Sequence, residues 1–207
     1  MKSLSFYEFA GIVLPGIIVI LGISILFPNM KNFLFNNTLS VGDFGLVLIL
    51  AYAAGQIIQA VGNLVESVWW QLQGGTPTDW VRQRKGDLLT DTQLENSLKL
   101  IYSKLDLKID VTKISASEWR NVTCQIYVSL IAQNRTERID IFNGNYGMNR
   151  GIAAVLITLA LLTFFSEVGS IKIALLLLGL SFIAISRMSR FAKYYARELF
   201  LQFLVNK

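Results

Sequence analysis

Residues 51–66 read AYAAGQIIQAVGNLVE. They close a stretch, Phe44 to Val65, that contains no Asp, Glu, Lys or Arg. A helix of that length crosses about 30 Å of hydrocarbon. Yet the stretch carries Gln56, Gln59 and Asn63, with Glu66 just beyond it. At about 100° per residue these four side chains share an arc of roughly 80°. Ala51, Gly55 and Gly62 flank that arc and Tyr52 lies within it, while the rest of the helix is Leu, Ile and Val. An amide facing lipid loses its water hydrogen bonds, a cost of roughly 2 kcal/mol or more, so this face must meet protein or water. Three readings follow: packing within one subunit or between identical subunits, a water-lined conduit built from several copies, or a pocket for lipid or a small molecule. Ala51, Gly55, Gln56, Gln59, Gly62, Asn63 and Glu66 are therefore the candidate oligomer interface or pore lining.

The whole chain carries the same signature. Its 207 residues are 53% hydrophobic and 16% charged, against roughly 25% charged in soluble domains. Phe9 to Met30 is a second charge-free run, and Gly151–Ser166 and Ile173–Ser186 are two shorter ones. The shorter pair spans a bilayer if Arg150, Lys172 and Arg187 reach the interfaces with their charged ends; otherwise it forms a re-entrant hairpin. The first run is too long for a signal peptide and has no small-x-small cleavage pattern before Pro28. Cys124 is the only cysteine, and there is no histidine. An intrachain disulfide, Ser-His or Cys-His catalysis and histidine metal sites are thereby excluded. The acidic residues are scattered without acid/base or ligand spacing. No enzymatic activity, cofactor, metal or direct nucleic-acid binding is expected.

The expected fold is an all-α integral membrane protein with four transmembrane helices and a helical cytoplasmic domain between spans 2 and 3. Its parts are a transmembrane hairpin over 1–66, the cytoplasmic domain over 67–149, a transmembrane or re-entrant hairpin over 150–187, and a basic amphipathic tail over 188–207. Lys and Arg set the orientation. Lys2, the segment from Arg82 to Arg150 and the tail (Arg187, Arg190, Lys193, Arg197, Lys207) hold all but Lys31 and Lys172. The positive-inside rule then places both termini and the middle segment in the cytoplasm. Phe6, Tyr7, Trp69, Trp70, Phe191, Tyr194 and Tyr195 mark the same boundary as aromatic anchors.

Within the middle segment, Gly74-Gly75-Thr76-Pro77 is a break. Thr90 and Gln93 predict a capping box, followed by Leu94, Leu98, Ile101 and Leu105 at helical spacing. Leu107 to Val111 reads as a linker. Ser115 or Ser117, with Glu118 in the first turn, starts a further helix that meets no strong stop before Asn143-Gly144-Asn145. In span 1, Pro15 removes one backbone hydrogen bond and kinks the helix, which a bilayer tolerates when a neighbour serves the freed carbonyl.

Two more groups are candidates for function. Arg82, Arg84 and Lys85 form a basic cluster suited to anionic headgroups or to a phosphate-bearing ligand such as a nucleotide, although no glycine-rich phosphate loop accompanies them. Arg138, Phe142, Tyr146 and Arg150 are spaced by four, so they share one helix face before span 3, as a juxtamembrane anchor or a coupling element. The tail turns apolar at Leu199-Phe200-Leu201, which suits an interfacial helix continuing span 4.

Leu14-Pro15-Gly16, the series Ala51-Tyr52, Gly55-Gln56, Gly62-Asn63 and Glu66, and Phe142, Tyr146 and Arg150 together give a layout. That layout resembles the short multi-span membrane effectors of bacterial anti-phage defence systems. The resemblance covers most of the chain as layout, with short motifs. It implies a bacterial inner-membrane homo-oligomer that disrupts the membrane when a cytoplasmic sensor protein or nucleotide signal engages it. The expected partners are then the lipid bilayer, further copies of the chain and that cytoplasmic signal. A scaffold for a cytoplasmic partner and a passive transporter subunit are the alternatives.

Overall fold

The computed structural model describes residues 9–29, 41–85, 87–105 and 110–205. The expected anchors Lys2, Phe6 and Tyr7, the connection carrying Lys31, and most of the expected linker after Leu105 lie outside them. Among the described residues every regular element is a helix. A π-helical turn, Phe9–Val13, runs into α1 (Leu14–Leu26). Then come α2 (Val41–Leu72), α3 (Pro77–Arg82), α4 (Asp91–Lys104), α5 (Ala116–Ile131), α6 (Glu137–Leu162) and α7 (Ile171–Leu204). Four helical stretches, led by the π turn with α1 and by α2, α6 and α7, are long and apolar enough to cross a membrane.

Contacts divide the chain into two units. The first comprises 1–69 and 144–189. Its core is Val19, Leu26, Ile58, Ala154, Val155 and Leu159. Ile173, Leu175, Leu176, Leu178, Leu180, Phe182 and Ile183 on α7 are all exposed. An apolar surface of that extent is covered by lipid or by protein in a stable molecule, while Ala174, Ser181 and Ala184 of the same helix are buried. The irregularity that Pro15 predicts is found in the turn before it. The chain adopts the wider π form there, a usual accommodation where the α-helical ladder is interrupted.

The second unit comprises 70–143 and 190–207. Three capping boxes start its helices: Thr76 with Asp79, Thr90 with Gln93, and Ser115 with Glu118. Each pairs a hydroxyl and a carboxylate or amide reciprocally with two backbone N–H groups that the first turn leaves unpaired. The second matches expectation, and the third selects Ser115 from the two expected starts. The first was equally legible, since Thr76-Pro77-Thr78-Asp79 also places proline at the first helical position. The core contains Leu98, Ile101, Trp119, Val122, Ile126, Leu130, Leu199, Phe200 and Phe203. Trp119 stacks on Phe200 with ring centroids 6.0 Å apart, and its Nε1 donates to the Thr78 carbonyl at 2.8 Å.

Two expectations are corrected here, on the helix from Ser115 and on the apolar end of the tail, while Val111 adds a buried contact to the expected linker. The helix from Ser115 stops at Ile131, because Asn134 takes a left-handed conformation (φ 55°) and the chain restarts at Glu137. Asparagine is one of the few residues that enter that region readily. Val111, at the end of the expected linker, is fully buried, and its N–H donates to Tyr102 Oη at 2.9 Å. The apolar end of the tail does continue the last long helix, but Leu199, Phe200 and Phe203 fill the core of the second unit rather than face a membrane surface. Arg187, Arg190, Lys193 and Arg197 remain exposed.

Candidate functional site

Span-forming helices rarely carry arginine away from their ends, so the surroundings of Arg150 are informative. Its side chain is only 12% exposed. Nε and Nη2 donate to Gln59 Oε1 at 3.2 and 2.7 Å, and Nη1 donates to Glu66 Oε2. Gln59, itself buried, donates its Nε2 to the Gly11 carbonyl. Gly11 lies four residues before Pro15, so in an α-helical register its carbonyl is the acceptor that an ordinary residue at 15 would serve. A connected path therefore runs from the Gly11 carbonyl through Gln59 and Arg150 to Glu66. It links the π turn, α2 and α6 within the first unit.

Small residues make room for it. A methyl group at Gly55 would lie 2.1 Å from the Ile12 carbonyl oxygen, and one at Gly16 would lie 1.7 Å from that of Ala51. Neither contact can be relieved by a side-chain movement, so both glycines are required by backbone-to-backbone approach. At Gly151 a methyl group would meet Pro15 Cγ at 2.7 Å and Gln59 Nε2 at 3.1 Å. At Gly62 it would press on the Arg150 stem at 3.1 Å. Arg150 also lies over the Tyr146 ring, 5.8 Å from its centroid.

The polar stripe on α2 is thus split. Ala51, Gly55, Gln59 and Gly62 are buried and Glu66 is partly buried, and all five face the same subunit's helices where the sequence left a contact between copies open. Gln56 and Asn63 point outward. Tyr52, within the same arc, is 46% exposed.

The basic cluster also divides. Arg82 turns inward, donating to Asp79 Oδ1 and to the Ile114 carbonyl, each at 3.1 Å, with a side chain 12% exposed. Arg84 takes φ 53° and pairs with Glu95 at 2.9 Å, and Lys85 is exposed. Lys193 lies over the Trp80 ring at 5.5 Å, and Trp80 packs edge-on against Trp70. Of the four residues spaced along α6, Arg138 covers Phe142 at 5.9 Å and reaches the mostly buried Glu198 at 3.7 Å. Phe142 meets Tyr194. Arg138 and Phe142 thus serve the second unit, and Tyr146 and Arg150 the first.

Outside the apolar helices, Tyr127 donates to Asp140 at 2.6 Å, and its pKa is pushed well above the usual phenol range by burial and then by that carboxylate. A phenol held so firmly protonated is a structural donor at neutral pH. Among the described residues no group of three Cys, Asp or Glu side chains is placed to hold a metal ion.

Gly11, Pro15, Gly16 and Gly151 belong to the site and were not singled out for it from the sequence. The signal was present in two halves: a proline that frees a carbonyl, and an amide that needs an acceptor. Compared with family models, curated proteins and solved structures, the chain shows no match.

Proposed function

We propose that this chain is a homo-oligomeric effector of a bacterial inner membrane. It would keep the membrane sealed at rest and permeabilise it when the helical segment between its second and third spans is engaged. In this reading both termini and that segment are cytoplasmic, and the trigger is a cytoplasmic sensor protein or a nucleotide signal. Anti-phage defence is the setting that the resemblance in layout implies.

The observation that carries the reading is the connected path Gly11–Gln59–Arg150–Glu66. Intact, it gives the Gly11 carbonyl, the Gln59 amide and the largely buried Arg150 guanidinium partners inside an apolar bundle. Broken at any point, it leaves a guanidinium or a carbonyl that hydrocarbon cannot solvate, and water entry becomes the favourable response. Such a lock suits a protein that must be tight in one state and leaky in another.

The test uses the full chain in proteoliposomes loaded with a self-quenched dye. Wild-type vesicles should retain the dye, whereas vesicles with Gln59→Leu or Arg150→Gln should release it while keeping wild-type helicity and elution volume. Variants that remain folded and as tight as wild type overturn the reading.

A further inference from the structure

Tyr52, Gln56 and Asn63 lie within roughly 40° of one another around α2, on the outward side of the helix. None of the three makes a side-chain hydrogen bond to another described residue. Ala53 and Ala60, also exposed, border them. Measured from Phe44 at 1.5 Å per residue, Tyr52 lies at about 12 Å, Gln56 at about 18 Å and Asn63 at about 29 Å along the charge-free stretch. Gln56 is therefore near the centre of the hydrocarbon and Asn63 near one boundary. The inward-facing amide on the same helix, Gln59, has both its oxygen and its nitrogen occupied. Among the described residues the outward ones have a partner for neither. That contrast separates the two faces of the stripe by chemistry and not only by exposure.

We infer that a second copy of this chain covers the Tyr52–Gln56–Asn63 strip, amide against amide. Lipid cannot occupy it, because acyl chains offer no donor or acceptor to Gln56 at the centre of the bilayer. An identical strip can, because a primary amide carries donors and an acceptor together, so two copies satisfy each other without a complementary sequence. Ala53 and Ala60 allow the two helices to come close enough for short amides to meet. The adjacent exposed positions Ile57 and Leu64, each 69% exposed, lie roughly 100° around the helix and supply the lipid-facing side. This inference shares the membrane placement of the proposed function but does not depend on leakage.

The exposed Cys124 is first replaced by serine, and single cysteines are placed at Gln56, Ala60, Asn63, Ile57 and Leu64 of the full chain. The purified variants are reconstituted into phosphatidylcholine vesicles at several protein-to-lipid ratios and oxidised with copper phenanthroline. Disulfide dimers should form at 56, 60 and 63 and be at least fivefold scarcer at 57 and 64. Fluorescence transfer between labelled copies should weaken about tenfold in Gln56→Leu/Asn63→Leu, in line with modest amide bonds lost at both ends of a symmetric contact. Equal cross-linking at all five positions, or none at 56, 60 and 63, overturns the inference. So does a heavier adduct formed in native membranes with no dimer in vesicles, since a different protein would then cover the strip. A result in which dimers form at the strip and dye is retained by the lock variants would reject the effector reading alone.

Discussion

Gln59 donates its amide to the Gly11 carbonyl, the acceptor that Pro15 has no N–H to serve. The pair explains why a membrane-length helix keeps a glutamine. It is a side-chain replacement for a missing backbone bond, and Arg150 then occupies the oxygen that the replacement leaves over. If so, the two residues are coupled. Gln59→Leu should destabilise the detergent-solubilised protein by about 1–2 kcal/mol, and Pro15→Ala should reduce the effect by restoring the native donor. A double-mutant cycle on thermal unfolding measures this. Strict additivity of the two changes would remove the link.

The ion pair between Arg150 and Glu66 should be asymmetric. Glu66 has a quarter of its side chain exposed, so Glu66→Gln leaves Arg150 with Gln59 and some access to water. Arg150→Gln instead strands both the Gln59 oxygen and the Glu66 carboxylate. The arginine change should cost on the order of 3 kcal/mol and the glutamate change clearly less. Glu66→Gln/Arg150→Gln should recover part of the loss, as read by unfolding temperature in the same detergent.

The close crossing of the π turn and α1 with α2 makes a sharper demand. Gly16→Ala and Gly55→Ala place a methyl group against backbone carbonyls and should each lower stability by about 1–3 kcal/mol. A methyl group at Gly45 or Gly179 meets nothing within 4 Å. There alanine's better helix propensity acts alone, and the substitutions should be neutral or stabilising by up to about 1 kcal/mol.

Caps carry the second unit's helices. Thr90→Ala removes the hydroxyl that accepts the Gln93 N–H at 3.3 Å and should destabilise α4 by about 1 kcal/mol. Hydrogen exchange across Asp91–Lys104 would localise the loss to that helix.

Glu118 gives a pH dependence with a defined sign. The Ser115 backbone N–H, at 2.8 Å, and then the Ser115 hydroxyl hold its carboxyl below the ordinary glutamate value. A depressed folded-state pKa means that this contribution is fully present above the unfolded-state value of roughly 4.3. It is lost as pH falls through the lower folded-state value. Stability should therefore decline below about pH 4 partly through this group, and Glu118→Gln should flatten that part of the curve.

The amino-acid order alone determined the class of protein. Charge-free runs long enough for hydrocarbon, uneven Lys and Arg and the absence of histidine are local facts that need no partner to interpret. The caps at Thr90 and Ser115 were legible for the same reason, since donor and acceptor lie three residues apart. The stop at Asn134 was weaker, because asparagine permits a left-handed turn without requiring one. What the stripe on α2 touches was decided only in three dimensions. Its period showed that Gln56, Gln59, Asn63 and Glu66 share a face, but all four amides and acids satisfy that pattern equally. The residues that separate Gln59 and Glu66 from Gln56 and Asn63 are Gly11 and Arg150, and Arg150 is 91 positions from Gln59 in the chain. A hydrogen bond has no sequence signature at that distance, because its partners are chosen by how the helices pack. The packing in turn rests on glycines whose role is to be absent from the space a neighbouring backbone occupies.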